Sequence, residues 1–470
     1  MNKQLPSEFK AEIGERFASD FLTLEPADLE TYGRDWTRVY DAAPSAVVFP
    51  RSTEQVSMFL KMCSLHKIAI VPSGGRTGLS GGAVAANGEV VVSLSRMNKI
   101  HPVELLSSTV RVQAGAITQA VHEHCQPLGL TWPIDFSAKG SSHIGGNIAT
   151  NAGGQRVIRY GLTRHWVNGL QVVTMNGDIL ELNGTLQKNN TGLDLCQLFI
   201  GTEGTLGIIT EATLKLTPLP VQTELFFFAT NNLSSSLELL KYTKLYGPFT
   251  ILTFEYLSND CLNSVLKLGK HKSPFEAPSD SYVLLEVESR DSADQREKLD
   301  DWMRTALEND LIVDGVLAQS HEERNDLWAL REGVSESLSA QGLVHKNDIA
   351  LPITKLDEFA KVLQSLVSRN YSNLKLFLFG HLGDGNFHVN FMKPEEMDKS
   401  KFLQICYAAD LEMFETVKKF GGSVSAEHGI GLLKKKALPY SRTPAELAIF
   451  KQIKQVMDPQ NLLNPGKIFD

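Results

Sequence analysis

The chain has little that would mark a disulfide-built, membrane-spanning or nucleic-acid-binding protein. Its 470 residues include five cysteines, Cys63, Cys125, Cys196, Cys261 and Cys406. They are odd in number, scattered, and never spaced as CxxC. That argues against a disulfide framework and against an iron–sulfur or thiolate–zinc site. Small buried hydrophobes in a reducing compartment account for them. No apolar run approaches the ~20 residues of a transmembrane helix. Positive charge is not in excess, because 46 Lys and Arg stand against 54 Asp and Glu, a net charge of −8. Broad binding to a phosphate backbone needs a basic face, so no nucleic-acid partner is expected. The N-terminus, MNKQLPSEFKAEIGERF, lacks a hydrophobic h-region and carries Glu8, Glu12 and Glu15, which a transit peptide avoids. A cytoplasmic protein without a transmembrane segment is the expectation.

What the chain has in plenty is glycine, 36 residues, and they cluster. The length suggests two or three domains. Apolar spacing predicts a helix over 52–66, strands over 68–71, 89–95 and 109–114, and a helix over 117–127. Residues 167–182 read as a hairpin turning at Asn176–Gly177, and 205–216 as further strand. After TPLP at 217–220, a linker, the pattern becomes strand 222–229, helix 232–245, strands 250–257 and 282–289, helix 293–309 and strand 311–319. Helices over 321–340, 354–369 and 395–419 follow, then a tail over 443–470 of helix and extended chain. The fold class is α+β, with an antiparallel sheet in the second half carrying its helices on one face.

Three loops carry the glycines. PSGGRTGLSGG runs from Pro72 to Gly82, GSSHIGGNIATNAGG from Gly140 to Gly154, and GTEGTLG from Gly201 to Gly207. Successive backbone N–H groups in such loops can turn inward as an anion nest. None matches GxGxxG opening a helix or GxxxxGK[ST], which disfavours a nucleoside triphosphatase or a Rossmann NAD enzyme. One such loop is more often a tight turn. Three, each mixing Gly with Ser, Thr and Asn, point to a long diphosphate-bearing ligand laid against backbone.

A second constellation lies in LKLFLFGHLGDGNFHVNF, residues 374–391. Two strands flank a turn at Gly383–Asn386. A four-residue loop there would set His381 opposite His388, with Cβ atoms about 5 Å apart on one sheet face, and Asn390 on the same face. Two such histidines can chelate one metal, although core histidines bonded to backbone are the plainer reading of either alone. Glu427, in SAEHGIG, is the best third ligand. Two His and one carboxylate leave an open position, as a catalytic site requires.

PSGGRTGLSGG, PIDFSAKGSSHIGGNIATNAGG and GTEGTLGIIT closely resemble the PCMH-type FAD domain of the vanillyl-alcohol-oxidase-like flavoproteins. Within them the chain resembles the FAD-linked D-2-hydroxyacid dehydrogenases along nearly its whole length, to DPQNLLNPGK at 458–467. The resemblance implies an N-terminal segment (1–40), a PCMH-type FAD-binding domain (41–220), a ferredoxin-like antiparallel-sheet substrate domain (221–425) and a helical C-terminal segment (426–470) returning to the flavin. It implies that Pro72, Ser73, Gly74, Gly75, Arg76, Thr77, Gly81 and Gly82 hold the diphosphate. Pro133, Asp135, Ser137, Gly140, Ser142, Gly146, Asn147 and Thr150 would line the cofactor path. Glu203, Gly207 and Ile209 would pack along its adenosine and ribityl parts, and Asn464 would approach the flavin. The first loop holds no histidine, so noncovalent FAD is expected.

The resemblance further implies a divalent metal on His381, His388 and Glu427, zinc first, with manganese, iron or cobalt also suited to such ligands. It makes His428 the base for the substrate hydroxyl, which an imidazole suits at neutral pH. Asn390 and His428 would also touch substrate. In LWALREGVSESL (327–338), Arg331 and Ser335 are four apart, hence on one helix face, and Lys346 follows. Their spacing matches residues that bind a distal carboxylate, and TYGRDWTRVY at 31–40 points the same way, to the D-2-hydroxyglutarate branch. The expected reaction is oxidation of D-2-hydroxyglutarate to 2-oxoglutarate, with the metal polarising the hydroxyl and hydride passing to flavin N5. With no NAD site, the acceptor would be an electron-transfer flavoprotein or a quinone, and a homodimer is compatible. Alternatives are a D-lactate or D-malate dehydrogenase of the same fold, an alkyl-glycerone-phosphate-synthase-like transferase, and a non-enzymatic flavin and metal sensor.

Overall fold

The structure is a computed structural model in which residues 5–289 and 293–469 are described. Residues 1–4 of the expected N-terminal segment, 290–292, and the last residue of the C-terminal segment lie outside the described residues. The chain divides into two compact units. The first takes Met1–Gly154, Leu162–Leu219 and Glu427–Asp470, and the second takes Gln155–Gly161 and Pro220–Ala426.

In the first unit, β-branched runs make a small parallel sheet. Ala46–Val48 and Ile70–Ser73 flank Val90–Ser93 in parallel register, and Leu22–Thr23 closes one edge. Helix Thr53–His66 makes the crossover between Ala46–Val48 and Ile70–Ser73. Its first turn is capped by Ser52, whose Oγ accepts the Gln55 N–H at 3.3 Å. Strand Ile70–Ser73 ends at the first glycine loop, so the loop opens at the carboxyl end of a parallel strand, where α/β sheets bind ligands. A five-stranded antiparallel sheet adjoins it, in the order Ile100–Glu104, Thr109–Gln113, Ile208–Lys215, Val167–Val173, Ile179–Leu182. The expected hairpin is there, with Val173 opposite Ile179 and Gly177 at φ +79° in the turn. Both sheets share one core around Phe59, Trp132 and Phe199.

The C-terminal segment is woven into this unit. Helix Pro444–Met457 starts on a capping box, with Thr443 and Glu446 serving each other's N–H groups. Beyond it Leu463 bridges Ile70 in parallel fashion. Buried Lys454 ties the carbonyls of Thr205 and Leu463 to Asp458 at 2.6–2.9 Å.

The second unit is built on a seven-stranded antiparallel sheet. Its order is Asp314–Leu317, Thr223–Thr230, Ser281–Glu288, Thr250–Ser258, Lys375–His381, Asn386–Met392, Val344–Ala350. Helices cover both faces, not the one face expected. Leu225, Phe227, Leu257 and Phe379 pack with Leu262, Leu330 and Leu338 from three helices. Phe226 and Phe228 pack on Trp302 of helix Ala293–Glu308, on the opposite face. The reason is in the strand LFFFA, which is apolar at consecutive positions and so presents large side chains to both sides of the sheet.

Candidate active site

In the first unit the three glycine loops wall one cleft. Pro72, Ser73, Gly74, Gly75, Arg76, Thr77 and Gly82 line it with Gly146, Asn147, Thr150, Glu203, Gly207 and Ile209. Gly146 and Gly78 are glycines whose added Cβ would meet no protein atom within 4 Å, so the space before them is open to a ligand. Gly75 differs, because its Cβ would lie 2.2 Å from the Ser141 carbonyl; there the loops themselves need the close approach. Ser73 Oγ and His143 Nδ1 are buried without a hydrogen-bond partner among the described residues. Both belong to cleft-lining residues, and orphaned polar atoms in such a wall call for a polar ligand. Open space before glycines, orphaned polar atoms and the Arg76 guanidinium fit a flavin dinucleotide.

Seven expected cofactor residues lie outside that wall. Ser142 is buried with its hydroxyl 2.7 Å from Thr118 Oγ1. Asp135 pairs with Lys139 at 2.9 Å. Gly81 donates its N–H to Asp35 Oδ2 at 2.7 Å, which ties TYGRDWTRVY to the first loop. Asn464 acts on the wall from behind, donating to the carbonyls of Gly82 at 3.0 Å and Glu203 at 2.7 Å. Pro133, Ser137 and Gly140 are not among the lining residues. His143, inside the second glycine loop, also lines the cleft, although nothing in that motif singles it out. Burial, with Arg76 beside it, pushes its imidazole down to about 4, so it is neutral at pH 7.

Glu203 joins the cleft to the C-terminal segment. Its oxygens accept the N–H groups of Ile430 at 2.7 Å and Gly431 at 2.8 Å. Burial pushes the carboxyl up to about 7, against those two donors. Only Gly429 separates the held residues from Glu427 and His428.

In the second unit the expected histidine register is corrected. Phe379, not His381, stands opposite His388, and His381 stands opposite Glu255 of the neighbouring strand. The loop is Leu382–Gly385, one residue earlier than expected. Asn386 is drawn into the sheet, its Nδ2 donating to Asp348 Oδ1 at 2.8 Å and to the Ile349 carbonyl at 2.9 Å. Parity is kept, so both histidines stay on one face as a diagonal pair, ring centroids 5.4 Å apart. Each has a carboxylate behind it. Glu255 Oε1 lies 2.7 Å from His381 Nδ1, and Asp348 Oδ1 lies 3.8 Å from His388 Nδ1. Neighbouring imidazoles backed by carboxylates are the donor chemistry of a divalent metal site. The Ala426 N–H donates to Asp348 Oδ2 at 3.2 Å, and Glu427 is the next residue in the chain.

Asn390 shares the histidine face and stands opposite Lys346. Lys346 is exposed, yet desolvation by surrounding protein lowers its ammonium below the usual lysine value. It has no ion-pair or hydrogen-bond partner among the described residues. Arg331 is different, being buried with Nε 2.8 Å and Nη2 2.7 Å from Glu255 Oε2. Burial pushes the Glu255 carboxyl up, but His381 and Arg331 together outweigh that and hold it below the ordinary value. The single helix expected over 321–340 is two, His321–Glu332 and Val334–Gln341, parted at Gly333. Arg331 is buried and Ser335 exposed, so the helix-face argument for the pair fails. Glu255 and Asp348 were missed. The signal for Glu255 was a lone carboxylate inside an apolar strand, ILTFEYLS, whereas Asp348 stands after three polar residues in VHKNDIA and gave none.

Residues 44–183 match the FAD binding domain family, and residues 244–468 match the C-terminal domain of FAD linked oxidases. The D-2-hydroxyglutarate dehydrogenase of Stutzerimonas stutzeri is 45% identical over 95% of this chain and 96% of its own length. The enzyme of that name from Xanthomonas citri is 43% identical over 96% and 94%. The mitochondrial one of Arabidopsis thaliana is 37% identical over 98% and 81%. Among solved structures, p-cresol methylhydroxylase superposes with a TM-score of 0.76 at 18% identity, covering 98% of this chain and 96% of that one. Alkyldihydroxyacetonephosphate synthase does so with 0.74 at 20%, covering 98% and 86%. At those identities the likeness shows the fold, a PCMH-type FAD-binding architecture. No helix among the described residues is long and apolar enough to cross a membrane. With a glycine-walled cleft, full-length similarity and both domain families in place, the chain belongs to the D-2-hydroxyglutarate dehydrogenase family of FAD-linked oxidases.

Proposed function

We propose that the protein oxidises a dicarboxylic D-2-hydroxy acid, D-2-hydroxyglutarate first, to its 2-oxo acid, using noncovalent FAD and a divalent cation. Lys346 carries the choice of substrate. It is a cation with no carboxylate partner among the described residues, opposite Asn390 and two residues from Asp348, which faces His388. A substrate's distal carboxylate is the ligand such a cation would take. The names of the relatives support the same substrate.

Bound FAD supplies two-electron oxidation. A divalent cation on His381, His388 and Glu427 supplies Lewis acidity toward the C2 hydroxyl; zinc suits these ligands, as do manganese, iron and cobalt. His428 takes the hydroxyl proton. Arg331, Ser335, Lys346 and Asn390 bind and orient the diacid. The cleft wall holds the cofactor by its backbone, with Arg76 countering the diphosphate. Electrons leave to an electron-transfer flavoprotein or a quinone.

The test is anaerobic bleaching of the bound flavin by D-2-hydroxyglutarate, D-malate, D-lactate and glycolate, with the L forms as controls. D-2-hydroxyglutarate should bleach it fastest, and EDTA treatment should stop bleaching while the flavin stays bound. Faster bleaching by D-lactate would move the substrate to a monocarboxylate. No bleaching by any acid would remove the dehydrogenase reading and leave a transferase or a sensor.

A further inference from the structure

We infer that Glu255 is a positioning residue that fixes His381 and Arg331 together, so that Arg331 acts on the metal site as well as on substrate. The inference rests on the metal and substrate roles proposed above. Its ground is the arrangement of one buried carboxylate within the second unit.

Glu255 is fully buried in the strand Thr250–Ser258, where only specific partners justify a carboxylate. Its two oxygens divide the work. Oε1 faces His381 Nδ1 at 2.7 Å. Oε2 accepts both Nε–H and Nη2–H of Arg331, at 2.8 and 2.7 Å. A carboxylate only accepts, so Nδ1 carries the imidazole proton and Nε2 carries the lone pair. That is the tautomer a histidine needs to bind a cation through Nε2, and the bond also fixes the ring's orientation.

Arg331 completes the brace. Its guanidinium holds the carboxylate from the far side and lies over the Phe379 ring, Cζ 5.2 Å from the centroid. Phe379 packs in turn on His388, ring centroids 4.9 Å apart. One arginine thus supports one histidine through Glu255 and the other through Phe379. Because Arg331 spends its charge on Glu255, the net positive charge for a distal carboxylate falls to Lys346. A purely structural Glu255–Arg331 pair would have no effect on metal binding once the fold was intact.

The test measures cation affinity, not turnover. The full-length flavoprotein is titrated with Co2+ or Zn2+ in competition with a chromogenic chelator, in wild type, Glu255→Gln, Arg331→Met, Lys346→Ala and His381→Ala. Glu255→Gln should bind the ion about 10–100-fold more weakly, the usual cost of losing such a support. Arg331→Met should weaken it in the same direction, and Lys346→Ala should match wild type. Flavin content and melting temperature identify folded variants, and if Glu255→Gln does not fold, Arg331→Met decides alone. Wild-type affinity in Glu255→Gln and Arg331→Met, with affinity lost in His381→Ala, would overturn the inference and leave the metal site standing. Equal weak binding by wild type and His381→Ala would remove the metal reading, and this inference with it.

Discussion

The first unit offers its ligand mostly backbone. Glycines leave room, and the one cation in the wall, Arg76, has no carboxylate against it among the described residues. The second unit offers side chains, and it holds nearly every one of them from behind. His381 leans on Glu255, His388 faces Asp348, and Asn386 is pinned by Asp348 and Ile349. A dinucleotide is long and is met along its length, so many weak backbone contacts suffice. A small diacid is met at a few atoms, so each contact must be aimed, and aiming costs buried partners. Lys346 is the exception in the second unit, and Gly146 is the purest case in the first.

This contrast can be broken experimentally. The largest effect is expected at the base proposed above: His428→Ala should lower kcat by about 10²–10⁴-fold with little change in substrate binding. A rise confined to KM would show that His428 only positions. Next, Lys346→Ala should raise KM for D-2-hydroxyglutarate about 10–100-fold, the loss of a charge-assisted hydrogen bond. Steady-state kinetics with D-lactate should barely change; a parallel loss there would show that Lys346 does not read the distal carboxylate.

The backbone side of the contrast predicts a split between two glycines. Gly146→Val fills open space and should cost about 10–100-fold in FAD affinity through overpacking against ligand, with the apoprotein's melting temperature kept. Gly75→Ala meets the Ser141 carbonyl and should lower that temperature itself, by about 2–4 °C for each kcal/mol. If both behaved alike, the cleft would not be reserved for a ligand. The smallest effect is a pH dependence. His143 is held neutral to about pH 4 when folded and takes its proton near pH 6.5 when unfolded. The unfolded chain therefore binds the extra proton between those values, and stability should fall as pH drops from about 6.5 toward 4. In His143→Gln, scanning calorimetry should show a shallower fall over that window.

Local chemistry was legible in the sequence. The glycine loops announced a ligand met by backbone, because a Gly-rich loop after a strand states its own conformation. His381 and His388 could be paired because alternation along a strand fixes the face. Their exact partners could not be read, since Asn386 chooses the loop boundary by bonding to Asp348, 38 residues earlier in the chain. Glu255 was out of reach for the same reason, being 126 residues from His381. Arg331 and Ser335 looked like one helix face until Gly333 parted the helix. His143 stood inside a quoted motif and was hidden by the glycines around it.

The bond from Glu203 to Ile430 and Gly431, and the bridge from Ile70 to Leu463, have a consequence for the order in which the protein is made. Every residue of the second unit leaves the ribosome before Glu427 does. The first unit must wait for residues 427–470, which join its small sheet and brace its cleft. A ribosome moving from the N-terminus thus releases a completed second unit while the first is still unfinished. Cofactor capture is thereby deferred until residues 427–470 have emerged, and a chain cut short before Leu463 would lose the brace of its cleft first.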